Sequence, residues 1–214
     1  MTLLEALSKI ASMDAIVVST SDVAARLQVR NGHASAMLAR LAASGQLVRL
    51  RRGVWTLPGR VDPLALPEYL TSPFPAYVSL QSALYLHGMI SQMPAVTYAV
   101  SLARTRRFTT PLGAVSVHRV QPAFFFGFED AGRSGGRLAT PEKALVDFFY
   151  LGPARSNLFR ALPELEWPKR FSVRAARAIV KRISSVRRRT LVSCALERLM
   201  KRRGKSGSEL LPGK

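Results

Sequence analysis

Residues 19–58 read STSDVAARLQVRNGHASAMLARLAASGQLVRLRRGVWTLP, and their pattern decides the fold of the first part of the chain. Ser19, Thr20 and Ser21 offer N-cap oxygens ahead of Val23-Ala24-Ala25-Arg26-Leu27, and Asp22 suits the positive start of a helix. Gln28 to Asn31 break the apolar spacing. A second helix is predicted from Gly32 or His33 to Ser44, with Ala34, Met37 or Leu38, and Leu41 turned to a core. Gly45 suits the position just past the helix end, where a left-handed backbone carries no Cβ penalty. Leu47, Val48 and Leu50, then Val54, Trp55 and Leu57, bracket Arg51-Arg52-Gly53 as strand, basic turn and strand. Two short helices followed by a basic hairpin read as a winged helix-turn-helix.

Such a layout carries an expected chemistry. The second helix can lie in the major groove of DNA and offer side chains near its N-terminus to base edges. Arg30, Asn31, His33, Ser35, Ala36 and Arg40 are the candidates. Arg40 ranks first, because a bidentate arginine–guanine pair is worth about 1–3 kcal/mol of discrimination. His33 and Ser35 rank second. Arg49, Arg51 and Arg52 stand on or beside the hairpin tip, where they can reach phosphates or the minor groove. The plainer alternative is a small helical subdomain with a solvated basic hairpin. The basic tip and polar outer face favour DNA.

Working outward, Leu3 to Ala11 read as a first helix, and Ile16-Val17-Val18 as a short strand pairing with the hairpin. Prolines at 58, 63, 67, 73 and 75 mark a connector, which puts a domain boundary near Arg60. Ser79 to Met89 read as a helix with His87 as a packed or capping residue. Val96 to Leu102 and Ala114 to Val120 read as strands, with Arg104 to Arg107 a basic loop and Pro111 to Gly113 a turn between them. Ser116 and His118 share one strand face. Ala123 to Phe128 read as an aromatic strand, 132–136 as a loop and Arg137 to Ala139 as a last strand. Thr140 caps a helix through Tyr150, with Pro141 at its first position. Glu142 and Asp147 suit helix-end and surface roles, and no partner residues complete a catalytic site around them. Short helices over 158–162, over Val173 to Ile183 and over Ser185 to Met200 close the chain.

The composition narrows the function classes. The chain has 214 residues, 48% of them hydrophobic, which is ample for a core. The net charge of +19 favours a polyanionic partner. Residues 1–60 carry net +5, residues 61–152 net +1 and residues 153–214 net +13. Most of the excess therefore lies at the C-terminal end, where Arg174, Arg177, Lys181, Arg182, Arg187, Arg188 and Arg189 form a possible second basic surface. Cys194 is the one cysteine, which argues against a disulfide framework and a zinc cluster and points to a reducing, cytoplasmic setting. No apolar run reaches membrane-spanning length, so no membrane partner is expected. The start, Met-Thr-Leu-Leu-Glu, lacks the pattern of a signal peptide. No cofactor motif, metal site or catalytic residue is assigned.

The expected class is α+β: an N-terminal winged helix-turn-helix domain over 1–60, then a mixed α/β domain over 61–205 with a helical, basic end, then a disordered tail over 206–214. The ordered blocks YVSLQSALYLHGM, TYAVSL, TPLGAVSVHRV, FFFGFE, ATPEKALVDFFYL and LPELEWPKRF resemble the AbiEi family of antitoxins, from bacterial type IV toxin–antitoxin and phage-defence systems. The resemblance spans most of the chain and includes the segment ending LVRLRRGVWTLP. It implies a repressor whose winged helix binds operator repeats in double-stranded DNA and controls its own operon. It further implies a C-terminal domain that opposes a cognate toxin of nucleotidyltransferase fold. By position, Asn31 to Arg40 match the family's recognition helix and Arg49 to Arg52 its wing. The basic segment from Lys201 has no clear family counterpart. Two rivals stand beside this reading: a protein-interaction module that neutralises a partner without binding an operator, and a nuclease guided by the winged domain.

Overall fold

The computed structural model describes residues 2–131, 135–152 and 164–208, with backbone alone from 204 onward. The chain is mixed α+β. Its first part begins with helix α1 (Leu3–Ala11), strand β1 (Val17–Ser19) and helices α2 (Thr20–Leu27) and α3 (Asn31–Ala43). Strands β2 (Val48–Arg51) and β3 (Val54–Thr56) follow as a hairpin. Reciprocal capping boxes start two of the helices. Thr2 and Glu5 exchange hydrogen bonds at α1, as do Ser19 and Asp22 at α2. Gln28 ends α2 in the left-handed conformation (φ 56°), and Gly45 takes it after α3 (φ 75°), as its position predicts. Strand β1 pairs antiparallel with β3, giving the sheet order β1-β3-β2. Ala6, Ile10, Val23, Leu27, Ala34, Leu38, Leu41 and Trp55 pack between the helices and one face of this sheet.

The second part is built on a six-stranded sheet. Helix α4 (Leu66–Thr71) leads into β4 (Ala76–Val78), then α5 (Leu80–Leu86), β5 (Thr97–Ser101), β6 (Arg106–Thr110) and β7 (Gly113–Arg119). Strands β8 (Phe128–Ala131) and β9 (Gly136–Ala139) precede α6 (Pro141–Leu151), α7 (Val173–Lys181) and α8 (Val186–Ser208). The strand order is β6-β7-β5-β4-β9-β8, with parallel pairs β5/β7 and β4/β9 and the other pairs antiparallel. Alternation along the strands gives the sheet two faces. Tyr77, Tyr98, Val100 and Leu138 pack under α5, α6, α7 and α8. Ala99, Val115, Val117 and Phe108 face the other way and meet Leu66 and Leu70 of α4 together with Val17, Val48, Leu50 and Val54 of the three-stranded sheet.

Several expectations are corrected. Ala123 to Phe128 do not form a strand. Pro122–Phe124 are a 3-10 turn, the chain reverses at Gly127 (φ 77°), and β8 begins only at Phe128. The turn lets Phe124, Phe125 and Phe128 converge with Tyr77 and Tyr150. Arg106 and Arg107 are not in a loop, because they open the edge strand β6. Glu142 and Asp147 are buried and not on the surface. Helix α8 continues to Ser208, so residues 206–208 are helical. The rest of the expected tail, 209–214, and the expected helix over 158–162 lie outside the described residues. No helix among the described residues is long and apolar enough to cross a membrane.

Candidate nucleic-acid interface

Helix α3 packs Ala34, Met37, Leu38 and Leu41 inward, which fixes what it shows to solvent. Its outward residues include Asn31, Gly32, Ser35, Ala36 and Ala39, all exposed. Beside it, Arg49 on β2 pairs across the hairpin with Trp55, its Cζ 5.4 Å from the Trp55 ring centroid. Trp55 is held in turn by its indole N–H, which donates to the Thr20 hydroxyl at 3.0 Å. The result is an open groove of about 540 Å³ between α3, the start of α2 and the hairpin tip. Asn31, Ser35 and Ala39 line one wall, Arg49, Arg52 and Gly53 the other, and Ser19, Thr20 and Ser21 the end.

The candidate residues divide accordingly. Asn31, Ser35, Arg49 and Arg52 are brought together in the groove. Arg40 is exposed but follows Ala39 by one residue, so it stands about 100° further round the helix, on the flank away from the hairpin. His33 shares that flank, and Ala36 lies between the flank and the groove. Arg30 is exposed at the N-cap position of α3 and makes no capping bond. Arg51 faces the other way. A bulge in β2 between Arg49 and Arg51 puts them on different sides, and the Arg51 guanidinium donates to the Ser72 carbonyl at 3.3 Å. Thr20, Gly32 and Ala39 belong to the groove and do not stand out as site residues in the sequence. Helical spacing from Ser35 could have found Gly32 and Ala39. The Thr20–Trp55 bond has no local signal.

The C-terminal basic series is largely engaged. Arg177 holds Glu197 through two hydrogen bonds of 2.8 and 2.9 Å. Arg182 lies 3.3 Å from the centroid of Phe126, and Arg188 lies 4.7 Å from that of Tyr150. Arg189 donates to the Ile183 carbonyl at 3.1 Å. Arg174, Lys181 and Arg187 remain exposed and make no ion pair among the described residues. The cationic stems thus serve the packing of α7 and α8 as well as the surface charge.

A second polar constellation lies under α6. The Lys143 ammonium donates to Asp147 Oδ1 at 2.6 Å and to the Phe124 carbonyl at 3.0 Å, and sits 3.5 Å from the Phe124 ring centroid. Asp147 Oδ2 accepts from the Tyr77 hydroxyl at 3.0 Å and the Ser79 hydroxyl at 2.8 Å. Burial pushes the Asp147 carboxyl above its usual range, against the pull of Lys143 and the two hydroxyls. Burial likewise lowers Lys143 and raises Tyr77 well above its ordinary value, the neighbouring carboxylate adding to the latter. Next to Ser79, the buried Leu80 adopts a left-handed backbone (φ 55°), a strain of about 1–3 kcal/mol that this packing sustains. Lys143, Asp147, Tyr77 and Ser79 are all fully enclosed, so a substrate has no access to them. They tie β4, α5 and α6 together. Glu142 does a related task by accepting from the Ser172 backbone N–H at 2.7 Å, at the start of α7. His87 ends α5, and its Nε2 lies 2.7 Å from the Ala139 carbonyl. No group of His, Cys, Asp and Glu among the described residues is arranged to hold a metal ion.

No protein-family model matches the chain, and no curated protein matches it. The functional reading therefore rests on the residues and their geometry.

Proposed function

We propose that residues 1–60 are a winged helix-turn-helix that binds duplex DNA, and that the chain is a transcriptional repressor of its own operon. The observation that carries this reading is the groove in which Asn31 and Ser35 of α3 face Arg49 and Arg52 of the hairpin. A helix with small outward residues can sink far into a major groove, so that Asn31 and Ser35 reach base edges. Arg49 and Arg52 then meet phosphates or the adjacent minor groove, and Arg40 and His33 the opposite groove wall. Arg51, tied to Ser72, supports the hairpin. The resemblance to AbiEi antitoxins extends the proposal. The part after residue 60 opposes a nucleotidyltransferase-like toxin, and the two proteins share an operon and act in the cytoplasm of a bacterium.

The test is titration of labelled promoter and random duplexes, read by fluorescence anisotropy. Arg49→Ala with Arg52→Ala is expected to weaken both duplexes by similar factors. Asn31→Ala is expected to lower the promoter-to-random ratio, by about fivefold or more if a bidentate adenine contact worth about 1–3 kcal/mol is lost. An unchanged ratio removes Asn31 from base reading. Rescue of toxin-arrested cells by a chain that binds no promoter DNA favours the interaction-module rival instead.

A further inference from the structure

The hairpin tip is not the only cationic feature at its end of the molecule. Arg51 donates to the carbonyl of Ser72, which precedes β4 by a few residues. Ala76 at the start of β4 pairs with Ser101 at the end of β5, and Ser101 with Arg119 at the end of β7. The Arg119 backbone N–H donates to the Thr105 hydroxyl at 3.0 Å, immediately before β6 opens at Arg106. The hairpin tip, the segment Arg104–Arg106 and Arg119 therefore lie at one and the same end of the six-stranded sheet. Arg106 and Arg119 also share a face of that sheet. Phe108, Val115 and Val117 face the three-stranded sheet. Arg106 stands two residues before Phe108, with its Cζ 5.1 Å from that ring, and Arg119 two residues after Val117. Arg104, Arg106 and Arg119 are exposed, and none forms an ion pair among the described residues. The exposed carboxylates of the sheet, Glu129 and Asp130, lie on β8 at the opposite edge.

We propose that Arg104, Arg106 and Arg119 bind the phosphate backbone of duplex DNA beyond the hairpin, so that the DNA site spans both parts of the chain. The proposal rests on the DNA-binding reading above and adds a surface that reading does not use. Strands are about 4.8 Å apart, so Arg119 stands about 10 Å across the sheet from the start of β4, and Arg106 about 14 Å. Duplex DNA carries a charge every ~1.7 Å of axis, so this reach covers several phosphates past those met by Arg49 and Arg52. Phosphate contacts of this kind fix the orientation of the duplex and carry no sequence information.

The experiment is the salt dependence of binding to a random-sequence duplex of about 40 base pairs, with each lost phosphate contact flattening the log–log slope by about 0.9. The triple variant Arg104→Gln, Arg106→Gln, Arg119→Gln is expected to flatten the slope by nearly 3, from about 0.9 per contact. It should lower promoter and random affinity by the same factor. The control is Arg174→Gln, Lys181→Gln, Arg187→Gln, which removes the same charge from the opposite face of the sheet and should change the slope by less than one contact's worth. The double variant Arg104→Gln, Arg119→Gln leaves the Arg106–Phe108 contact intact and should flatten the slope by about 1.8. An unchanged slope in a double variant that still folds, or equal flattening by the control, overturns the proposal and leaves the hairpin reading standing. Failure of the unaltered protein to bind either duplex overturns both.

Discussion

Lys143→Met isolates the buried ion pair from everything else that holds the second part together. The methionine keeps the length of the side chain and its contact with Phe124, and deletes the ammonium that meets Asp147 Oδ1 at 2.6 Å and the Phe124 carbonyl at 3.0 Å. Asp147 is left fully buried, with only the hydroxyls of Tyr77 and Ser79 as partners. Removing one member of a buried pair costs about 3–5 kcal/mol, and the two surviving hydrogen bonds put the expectation near 3 kcal/mol at pH 7. With a urea m-value of about 2 kcal/mol/M, the unfolding midpoint falls by about 1.5 M. The loss carries a pH signature. Burial, opposed now only by the two hydroxyls and no longer by Lys143, raises the orphaned carboxyl, so the folded chain keeps a proton that the unfolded chain releases near the ordinary value of 3.8. The folded variant therefore binds more protons over that interval, and its deficit grows as pH rises from about 4 to 7. Adding Asp147→Asn removes the buried charge, and the double variant should recover about 1–2 kcal/mol at pH 7. Urea titrations followed by tryptophan fluorescence and far-UV circular dichroism at pH 5 and 7 measure all four corners of the cycle. A midpoint unmoved by Lys143→Met, or strict additivity of the two changes, refutes the reasoning.

Tyr77→Phe should cost about 1.5–3 kcal/mol at pH 7, the worth of a hydrogen bond to a charged group. Because the Tyr77 phenol is raised well above its ordinary value of 10.0, its stabilisation is complete below pH 10 and is lost as pH rises beyond it. The gap between variant and parent should narrow above pH 10, and a constant gap from pH 8 to 11 counts against the assignment. Gly136→Ala places a Cβ 2.7 Å from the backbone carbon of Leu64 and 2.9 Å from the Ala131 carbonyl oxygen, contacts that rigid backbone cannot relieve. Overpacking of this kind costs about 1–3 kcal/mol, read as a lower urea midpoint at unchanged m-value, and an unmoved midpoint refutes the close approach of connector and β9.

The legible parts of the chain are those fixed by local physics. Ser19 with Asp22, Gly45 after α3 and Thr140 before Pro141 are caps whose meaning depends on a few neighbouring residues, and each stands at the helix boundary expected. The strand period is legible for the same reason, since Val115 and Val117 alternate with Ser116 and His118 along β7. What does not show in the sequence is set by tertiary partners. Asp147 suits a surface role in the sequence, and only the fold shows it enclosed with Lys143, its hydrogen bonds coming also from Tyr77 and Ser79, about seventy residues earlier. Ala123 to Phe128 have the composition of a strand, but their rings are drawn to Lys143 and Tyr77, and the backbone turns to deliver them. Arg40 ranks first for base reading on side-chain chemistry alone. The core it turns away from is the expected one, Ala34, Met37, Leu38 and Leu41, and Arg40 is exposed; what the sequence does not show is which flank of α3 the hairpin stands beside, and it stands beside Asn31, Ser35 and Ala39.

The connector is where the two halves of the sequence become one structure. Prolines at 63, 67, 73 and 75 mark a connector and put a domain boundary near Arg60. Arg60 is itself anchored, donating to the carbonyls of Ala11, Met13 and Ala15 around the end of α1. Leu66 and Leu70 of α4 join the apolar layer between the two sheets, and Arg51 crosses that layer to Ser72. Val17, Val48 and Val54 belong to the same layer, so one face of the three-stranded sheet is satisfied by the second part and not by solvent. Exposing that layer would return roughly 1.5–3 kcal/mol of burial for each large side chain. A packed joint of this kind has a functional consequence under the proposed reading. The hairpin arginines and those at the end of the six-stranded sheet keep a fixed spacing, so a duplex that meets one set is already aligned with the other and no further ordering is needed to engage both.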